Sequence, residues 1–407
     1  MSIRATHNNT LLIAILIGAL AGILCGWFFG TAMQSVEWLG ILFLDTLKMT
    51  IIPLIIAAVI SGVTSLGDIR KLGKLGGYTV TYYAATTALA VLTGLILVNI
   101  IQPGTGHGEM LTTIPETIAG KESIGFVDII RTLISPNLIA AAAETQLLPI
   151  IIFCLIFGAA LTTVGNKGEP VMNFFHGLNE VMMKIVIWIM YFAPIGIFAM
   201  IASRLGQAGG GAAFWNEITQ VGWYIVTVAL GLTIHFFVLL AILYFFTRRG
   251  FDYVKTMLRA LLTAFGTSSS SATLPLTMEC AIEAGVDKRA VKFVLPLGAT
   301  VNMDGTALYE AVAVMFIAQA YGYSMGFNEQ LIIFLTATLA AIGAAGIPQA
   351  GLVTMVIVLT AVNLPLEGIG MLLAVDWFLD RLRTMVNVWG DSAGAAIMEN
   401  VLEKETL

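Results

Sequence analysis

Long apolar runs separated by short polar segments dominate this chain. In the first half they cover residues 11–29, 38–65 and 78–101, and then residues 171–203 and 214–246. Each run approaches or exceeds the roughly 20 residues that a helix needs to cross a bilayer. Between them, residues 124–165 are apolar but interrupted by prolines, which predicts several short helices there. The pattern predicts a framework of membrane-spanning helices with few charges inside the membrane.

The apolar runs of the second half are broken at matching places. A run over residues 257–282 breaks at 266–275, one over 290–321 breaks at 302–306, and one over 330–364 breaks at 343–351. Unpaired backbone at membrane depth is tolerated only where protein or water covers it. A broken hairpin followed by a polar-faced helix, twice over, predicts two inverted repeats with a binding site at the breaks. Although a serine run alone is typical of a linker, we interpret Ser268 to Ser271 as a re-entrant tip because apolar sequence flanks it.

The last apolar run begins near residue 369 and carries a polar stripe. Its members are Asp376, Asp380, Arg383, Asn387 and Asp391. At about 100° per residue all of them fall within a sector of roughly 80° on one helix face. In lipid such side chains cost several kcal/mol each unless they meet a partner, an ion or a ligand. The stripe therefore predicts a functional site.

Composition decides between lipid and water as the surroundings of that stripe. Hydrophobic residues make up 58% of the chain and charged residues 11%, whereas soluble proteins are about 25% charged. The three cysteines form no CxxC pair and the four histidines show no ligand spacing, so we expect neither a disulfide nor a transition-metal centre. Basic segments at residues 70–74 and 248–249 predict cytoplasmic loops and cytoplasmic termini.

Two kinds of binding chemistry follow from the polar side chains near the breaks. Asn302, Asp304, Asn387 and Asp391 offer hard oxygen ligands, which suit Na⁺ rather than a transition metal. Arg383 offers a planar fork that matches a carboxylate. Asp380 lies one turn away and is able to accept a substrate ammonium. Together they predict a zwitterionic substrate with an additional acid, and the open alternative is that Asp380 and Arg383 only pair with each other.

Glu310 stands alone in apolar sequence six residues after Asp304. Burial favours the protonated form of a carboxyl group. One reading is a proton carrier in the transport cycle, and the other is a permanently protonated structural residue. The isolated residue does not separate the two.

Four motifs carry a family resemblance. Residues 267–275, 302–306, 343–351 and 376–391 appear in the order found in the glutamate transporter family, the dicarboxylate/amino acid:cation symporters, and the chain resembles that family over essentially its whole length. The resemblance implies an all-α multi-pass membrane protein with eight transmembrane helices and two re-entrant hairpins. It also implies a homotrimer in which an elevator-type transport domain moves against a scaffold.

Mapped onto this sequence, the resemblance divides the chain. It implies scaffold helices at residues 1–77 and 124–206, and transport-domain helices at 78–123 (with an external loop) and 207–250. The transport-domain core then occupies residues 251–407, with a hairpin at 252–283, a helix at 290–322, a hairpin at 328–364 and a helix at 367–400.

The resemblance also implies binding residues. Arg383 matches the position that binds the substrate side-chain carboxylate, and Asp380 the position that binds the amino group. The other substrate positions are Thr306, Thr384 and Asn387, with backbone of Ser269, Ser270, Ile347 and Gly351. The implied sodium sites are Gly298, Asn302, Asn387 and Asp391; Thr300 and Met303 with carbonyls of Ala341, Ile342 and Ala344; and Tyr83, Thr86 and Thr87 with Asn302 and Asp304.

Departures from the archaeal pattern narrow the expectation. Glu310 replaces a glutamine, and the arginine expected at Ser268 appears instead at Arg381, as in the animal transporters. This implies H⁺ co-transport through Glu310 and leaves K⁺ counter-transport open. Asp391 predicts Na⁺ dependence.

The combined expectation is a cell-membrane symporter that imports glutamate and aspartate. Neutral amino acid carriers of the family lack the equivalent of Arg383, and C4-dicarboxylate carriers lack that of Asp380. Both residues are present here, which favours glutamate and aspartate. These two kinds of carrier remain the alternatives within the family. An anion channel is the alternative from another class. An enzyme is not expected because no nucleophile–base pair or redox ligand set is visible, and neither is a nucleic-acid partner.

Overall fold

Helices make up the secondary structure of the part of the chain that the structure describes. This computed structural model describes residues 2–64, 73–105, 134–144, 146–207, 211–343 and 350–405. In chain order the α-helices are α1 (Ser2–Phe29), α2 (Glu37–Thr64), α3 (Gly73–Ile101), α4 (Leu138–Ala143), α5 (Leu147–Thr163), α6 (Glu169–Met190), α7 (Ala193–Gln207), α8 (Gly211–Thr247), α9 (Phe251–Thr267), α10 (Ser270–Glu283), α11 (Lys288–Val301), α12 (Asp304–Ala320), α13 (Phe327–Gly343), α14 (Ala350–Ala361) and α15 (Ile369–Glu405). Short 3₁₀ turns follow α1, α5 and α14.

Several of these helices are long and apolar enough to cross a membrane. Within the described ranges such stretches are Ile13–Phe43, Leu75–Ile101, Thr219–Thr247 and Lys288–Ala320, and the bent pair α6–α7 adds a fifth. The helix α15 has 37 residues, which corresponds to about 55 Å, but it carries the charged stripe. The predicted all-helical membrane class is confirmed, and the predicted short helices of residues 124–165 appear as α4 and α5 in its described part.

The apolar run over residues 171–203 forms a bent pair of helices rather than one continuous helix. The chain turns at Tyr191 and Phe192, and the helices on either side are bent by 53°. Pro194 is the second residue of α7. It has no N–H to donate to the carbonyl four residues earlier, so α6 is not continued through this point. The first half of the chain packs around this bend, where α1 lies close enough to α7 that a Cβ at Gly22 would be 2.9 Å from Phe198 O.

Two of the three interruptions that the sequence predicted in the second half are present in the described structure. Between α9 and α10, Ser268 adopts a left-handed conformation (φ +50°) and Ser269 caps α10. Between α11 and α12, Asn302 and Met303 leave the helical region (ψ +90° and +55°). The third predicted break lies between α13 and α14, at residues 344–349, outside the described ranges. The two breaks that are described leave polar groups beside the middle of α15.

Buried apolar residues of α8, α9 and α11 pack around the second half of α15. Trp389 is fully buried there and stacks on Phe236 of α8, with ring centroids 4.9 Å apart. Its Nε1 donates to Phe236 O at 3.1 Å. This contact fixes α15 against α8 next to Gly390, which borders the polar site.

Candidate functional site

The polar stripe of α15 is buried along its length. Asp376, Asp380, Arg383, Asn387 and Asp391 expose between 0% and 7% of their surface. A soluble helix would turn such residues to water, so this burial means that the surrounding helices must supply their partners. The contacts divide the stripe into two parts. One is an arginine centre, formed by Arg383 with Asp376 and Asp380, and the other is an oxygen cluster that includes Asp391.

Arg383 is held by two carboxylates and an aromatic ring. Its Nη2 donates to Asp380 Oδ1 at 2.7 Å, its Nη1 lies 3.1 Å from Asp376 Oδ1, and its guanidinium carbon lies 3.9 Å from the ring centroid of Tyr309. The pairing of Asp380 with Arg383, which was open at the level of sequence, is present in the structure. Asp376, for which the sequence indicated no role, is the second counter-ion of Arg383.

Arg383 nevertheless keeps unused hydrogen-bond donors. The contact with Asp376 has the distance of an ion pair but not the alignment of a hydrogen bond, and neither Nε nor Nη1 has an acceptor among the described residues. Gly351 of α14 faces this side of the guanidinium, where a Cβ would lie 2.7 Å from Nη1. A buried arginine with free donors beside a side-chain-free backbone is suited to receive an anionic group.

Asn387 joins α15 to the start of α12. Its Oδ1 accepts the Gly305 N–H at 2.7 Å, and its Nδ2 lies 3.3 Å from both Thr306 Oγ1 and Met303 Sδ. Gly305 has no room for a side chain, because a Cβ would lie 2.6 Å from Arg383 O. The broken helix is therefore tied directly to the arginine centre.

The remaining predicted substrate residues lie at other places. The Thr384 hydroxyl donates to Asp380 O at 2.7 Å within its own helix. Ser269 Oγ accepts from Ala272 N at 3.2 Å at the start of α10, and Ser270 is buried beside it. Ile347 lies outside the described residues. Of the predicted substrate set, the structure brings together Arg383, Asp380, Asn387, Thr306 and Gly351.

A cluster of oxygen atoms forms where α3 meets the broken helix. Thr87 Oγ1 donates to Asp304 Oδ1 at 2.7 Å. Thr86 Oγ1 lies 3.3 Å from the same oxygen, 3.4 Å from Asn302 Oδ1 and 3.3 Å from Tyr83 O. The Tyr83 hydroxyl points elsewhere and donates to Val294 O at 2.8 Å, so only its carbonyl belongs to the cluster. These are the residues of one sodium site implied by the family resemblance.

Asp391 extends this cluster along α15. Asn302 Nδ2 donates to Asp391 Oδ1 at 3.0 Å. Gly298 of α11 lies directly against the Asp391 carboxylate, and a Cβ there would also come within 2.6 Å of the Tyr83 hydroxyl. The predicted group of Gly298, Asn302 and Asp391 is therefore assembled, while the Oδ1 of Asn387 is bonded to Gly305 instead.

The residues of the remaining implied sodium site are less closely gathered. The Thr300 hydroxyl donates to Leu297 O at 2.9 Å in its own helix. Met303 Sδ lies 3.3 Å from Asn387 Nδ2, beside the arginine centre. Ala341 is buried, and the Ile342 carbonyl lies 3.4 Å from where a Cβ of Gly62 would be. Ala344 lies outside the described residues.

Glu310 is fully buried one turn beyond Thr306. Neither carboxyl oxygen has a hydrogen bond within the described structure. The polar groups that act on it are the Thr354 hydroxyl of α14 and the Arg383 guanidinium. Glu310 therefore lies near the arginine centre, on the helix that also carries Thr306.

Two site residues, His235 and Tyr309, escaped the sequence argument, and a third, Asp376, was found without its partner. His235 of α8 contacts Asp304, although its spacing to other candidates carried no signal. Tyr309 lies three residues after Thr306, so helical periodicity offered a signal for its place near Arg383. Asp376 was on the stripe but had no assigned partner. Arg381 lies off the stripe, and its Nη1 donates to Phe265 O and Gly266 O at 3.0 Å each, at the end of α9.

Buried ionic groups at the breaks of discontinuous helices in an apolar bundle are typical of secondary transporters. Comparison with known families agrees with that class. The sodium:dicarboxylate symporter family matches residues 11–401, and this chain belongs to it. The resemblance drawn from the motifs is thereby confirmed, and the chain is a transporter rather than an enzyme.

Similar proteins within the family include animal transporters. The chain is 39% identical to excitatory amino acid transporter 1 of Ambystoma tigrinum, over 97% of this chain and 82% of the relative. It is 39% identical to excitatory amino acid transporter 3 of Homo sapiens, over 99% and 87%. It is 38% identical to an excitatory amino acid transporter of Caenorhabditis elegans, over 96% and 88%. The likeness extends over nearly the whole chain.

Proposed function

We propose that this protein is a secondary active symporter that imports glutamate and aspartate together with Na⁺. One observation carries the proposal: Arg383 is fully buried in an apolar bundle, and its Nε and Nη1 have no acceptor in the described part of the chain. Such donors cost free energy unless a ligand with paired acceptors meets them. A carboxylate has that geometry. The similar proteins are excitatory amino acid transporters, which supports the same substrate class.

The contacts of Arg383 explain why the substrate is an amino acid with a second acid. The side-chain carboxylate of the substrate binds Arg383, and the substrate ammonium takes Asp380, replacing the bond that Asp380 now receives from Nη2. Asp376 stays beside Nη1 throughout, so the guanidinium keeps a counter-ion while Asp380 changes partners. Thr306, Thr384, Asn387 and the backbone of Ser269, Ser270, Ile347 and Gly351 complete the proposed binding site.

The oxygen cluster supports Na⁺ as the coupling ion. Hydroxyl, amide, carboxylate and carbonyl oxygens converge between α3 and the broken helix. Oxygen ligands of this kind suit a hard monovalent cation rather than a transition metal. Asp304 and Asp391 supply the negative charge that Na⁺ neutralises. Binding of Na⁺ and substrate then reinforce each other through Asn302 and Asn387.

Glu310 is the proposed proton carrier. It lies close enough to Arg383 to interact with it, so its charge state acts on the substrate-binding group. A deprotonated Glu310 competes with the substrate carboxylate for the guanidinium, which links proton binding to substrate binding. K⁺ counter-transport is tested by imposing a K⁺ gradient on the protein in liposomes and measuring its effect on uptake.

The proposed architecture follows the family. Eight spans, two re-entrant hairpins (α9–α10 and α13–α14), inverted repeats and cytoplasmic termini are arranged as a scaffold and an elevator-type transport domain in a homotrimer of the cell membrane. Large apolar side chains of the first half, such as Ile17, Phe28 and Trp188, are exposed on the single chain. Such surfaces require lipid or neighbouring subunits to cover them.

Competition for uptake separates the proposal from its alternatives. Purified protein in liposomes is given labelled aspartate with an excess of glutamate, succinate or serine. We expect glutamate to compete and succinate and serine not to. Competition by succinate indicates a C4-dicarboxylate carrier, and competition by serine a neutral amino acid carrier. Uptake that never exceeds the external concentration indicates a channel.

A further inference from the structure

His235 of α8 makes a buried polar contact that the proposed function does not use. Its Nε2 lies 3.2 Å from Asp304 Oδ2, and both side chains are completely buried. A polar pair placed this deep costs free energy unless its members satisfy each other. The two residues are 69 positions apart in sequence, and their contact joins α8 to the start of α12.

The chemistry of the carboxylate sets the direction of this hydrogen bond. With Asp304 as a carboxylate, the form that holds a cation, it only accepts hydrogen bonds, so the ring hydrogen lies on Nε2 and His235 donates to Asp304. The Nδ1 of His235 has no hydrogen-bond partner within the described ranges. The contact with Asp304 is therefore the polar interaction that orients the imidazole.

The two oxygens of Asp304 face different neighbours. Oδ1 faces the hydroxyls of Thr86 and Thr87, at 3.3 and 2.7 Å, while Oδ2 faces His235. Gly390 leaves space on the Oδ2 side, since a Cβ there would lie 3.1 Å from that oxygen. Because His235 donates to Oδ2 and not to Oδ1, its hydrogen bond prevents the carboxylate from rotating. Oδ1 is thereby directed into the oxygen cluster.

The backbone around His235 is itself well held. The next residue, Phe236, stacks on Trp389 at 4.9 Å and accepts its Nε1 hydrogen bond at 3.1 Å. This anchors α8 to α15 beside Gly390. The imidazole thus starts from a fixed backbone position, as a residue that orients another side chain must.

From these contacts we infer that His235 is a positioning residue for the cation site formed by Thr86, Thr87, Asn302, Asp304 and the Tyr83 carbonyl. It holds Asp304 so that Oδ1 is presented to Na⁺. The inference rests on the proposed function, because it assumes that this cluster binds Na⁺. When the His235 N–H is lost, Oδ2 stays buried without a hydrogen-bond donor. The carboxylate then rotates toward other donors and away from the cluster. Partners that orient metal ligands typically change metal affinity by about 10- to 100-fold.

The test compares two replacements of the same shape. His235→Met and His235→Gln have unbranched side chains of similar length and volume, but only glutamine ends in an N–H donor. Each variant and the wild type are reconstituted into liposomes, and aspartate uptake is measured as the external Na⁺ concentration is varied. We expect His235→Met to raise the Na⁺ concentration for half-maximal uptake about tenfold with maximal uptake retained, and His235→Gln to stay within about twofold of wild type.

Each contrary outcome has a distinct meaning. An unchanged Na⁺ dependence in His235→Met overturns the inference, and so does an equal loss in both variants, which would report lost packing. A lower maximal rate at unchanged half-saturation overturns it as well. Uptake by the wild type without any Na⁺ dependence instead overturns the proposed function, and the inference with it. If His235→Met does not accumulate in the membrane, His235→Asn replaces it, since its shorter amide does not reach Asp304; equal Na⁺ dependence of the Asn and Gln variants then overturns the inference.

Discussion

Asp376 Oδ1 lies 3.1 Å from Arg383 Nη1, two turns apart on the same face of α15. Both side chains are buried, and Asp380 lies between them along the helix. Arg383 thus has two counter-ions, and in the proposed binding mode Asp380 turns to the substrate ammonium while Asp376 stays. A buried guanidinium left alone would cost several kcal/mol, so in that mode the second carboxylate keeps Arg383 paired when Asp380 changes partners.

Arg383→Ala is expected to abolish uptake of glutamate and aspartate. Truncating one partner of a buried charge pair costs about 2–5 kcal/mol, or roughly 30-fold or more in affinity. Uptake of labelled glutamate and of labelled serine measures both the loss and any gain of neutral substrate. Arg383→Lys is the matched control, because it keeps the charge but not the planar fork, and we expect it to be impaired too. Unchanged glutamate affinity in Arg383→Ala would sink the assignment.

Gly351→Ala is expected to weaken substrate binding without removing any polar group. The new methyl group would lie 2.7 Å from Arg383 Nη1 and 2.9 Å from Cζ, so the guanidinium must shift. Overpacking of this kind costs about 1–3 kcal/mol, which corresponds to a rise of roughly fivefold or more in the KM for aspartate. Gly222→Ala is the control, since nothing lies within 4 Å of a Cβ there. Equal KM values in the two variants would contradict the position assigned to Gly351.

Asp391→Asn is expected to weaken the Na⁺ dependence of uptake. The substitution keeps the shape of the side chain next to Asn302 and Gly298 but removes the charge that neutralises the cation. We expect the Na⁺ concentration for half-maximal uptake to rise about tenfold or more. Asp252→Asn, on a side chain that is 97% exposed, is the matched control. A sodium titration that is the same for Asp391→Asn and wild type would remove Asp391 from the site.

Glu310→Gln is expected to remove the pH dependence of transport. Glutamine resembles the protonated carboxyl permanently, so the electrostatic interaction of this position with Arg383 no longer changes with pH. Uptake at several pH values, together with proton flux from an internal pH dye, measures the effect. Glu279→Gln, an exposed position of α10, should behave as wild type. Retained proton flux in Glu310→Gln would clear Glu310 of the role.

The polar stripe and the helix breaks could be predicted from the sequence because each depends on a local pattern of apolar and polar residues. The stripe on α15 follows from helical periodicity alone, and its burial follows from the apolar sequence around it. The breaks at Ser268 and Asn302 were visible because polar residues interrupt apolar runs. The bend at Tyr191 was missed even though Pro194 is visible in the sequence, because membrane helices often tolerate proline without ending.

The contacts across helices could not be predicted in the same way. His235 meets Asp304, and Tyr309 stacks under Arg383, only because α8, α12 and α15 pack at particular depths and rotations. Nothing in the spacing of a lone histidine reports which helix it faces. The role of Asp376 likewise required the rotamer of Arg383. Residue types and periodicity indicate that a site exists, whereas its pairings depend on tertiary packing.

The most direct test of the account is accumulation driven by an ion gradient. Proteoliposomes containing the purified protein receive labelled aspartate or glutamate under an inward Na⁺ gradient, with H⁺ and K⁺ gradients imposed separately. The account predicts that internal substrate rises above the external concentration when Na⁺ is higher outside, and that dissipating the Na⁺ gradient abolishes this accumulation. Uptake that only equilibrates, or that accumulates equally without Na⁺, would contradict it.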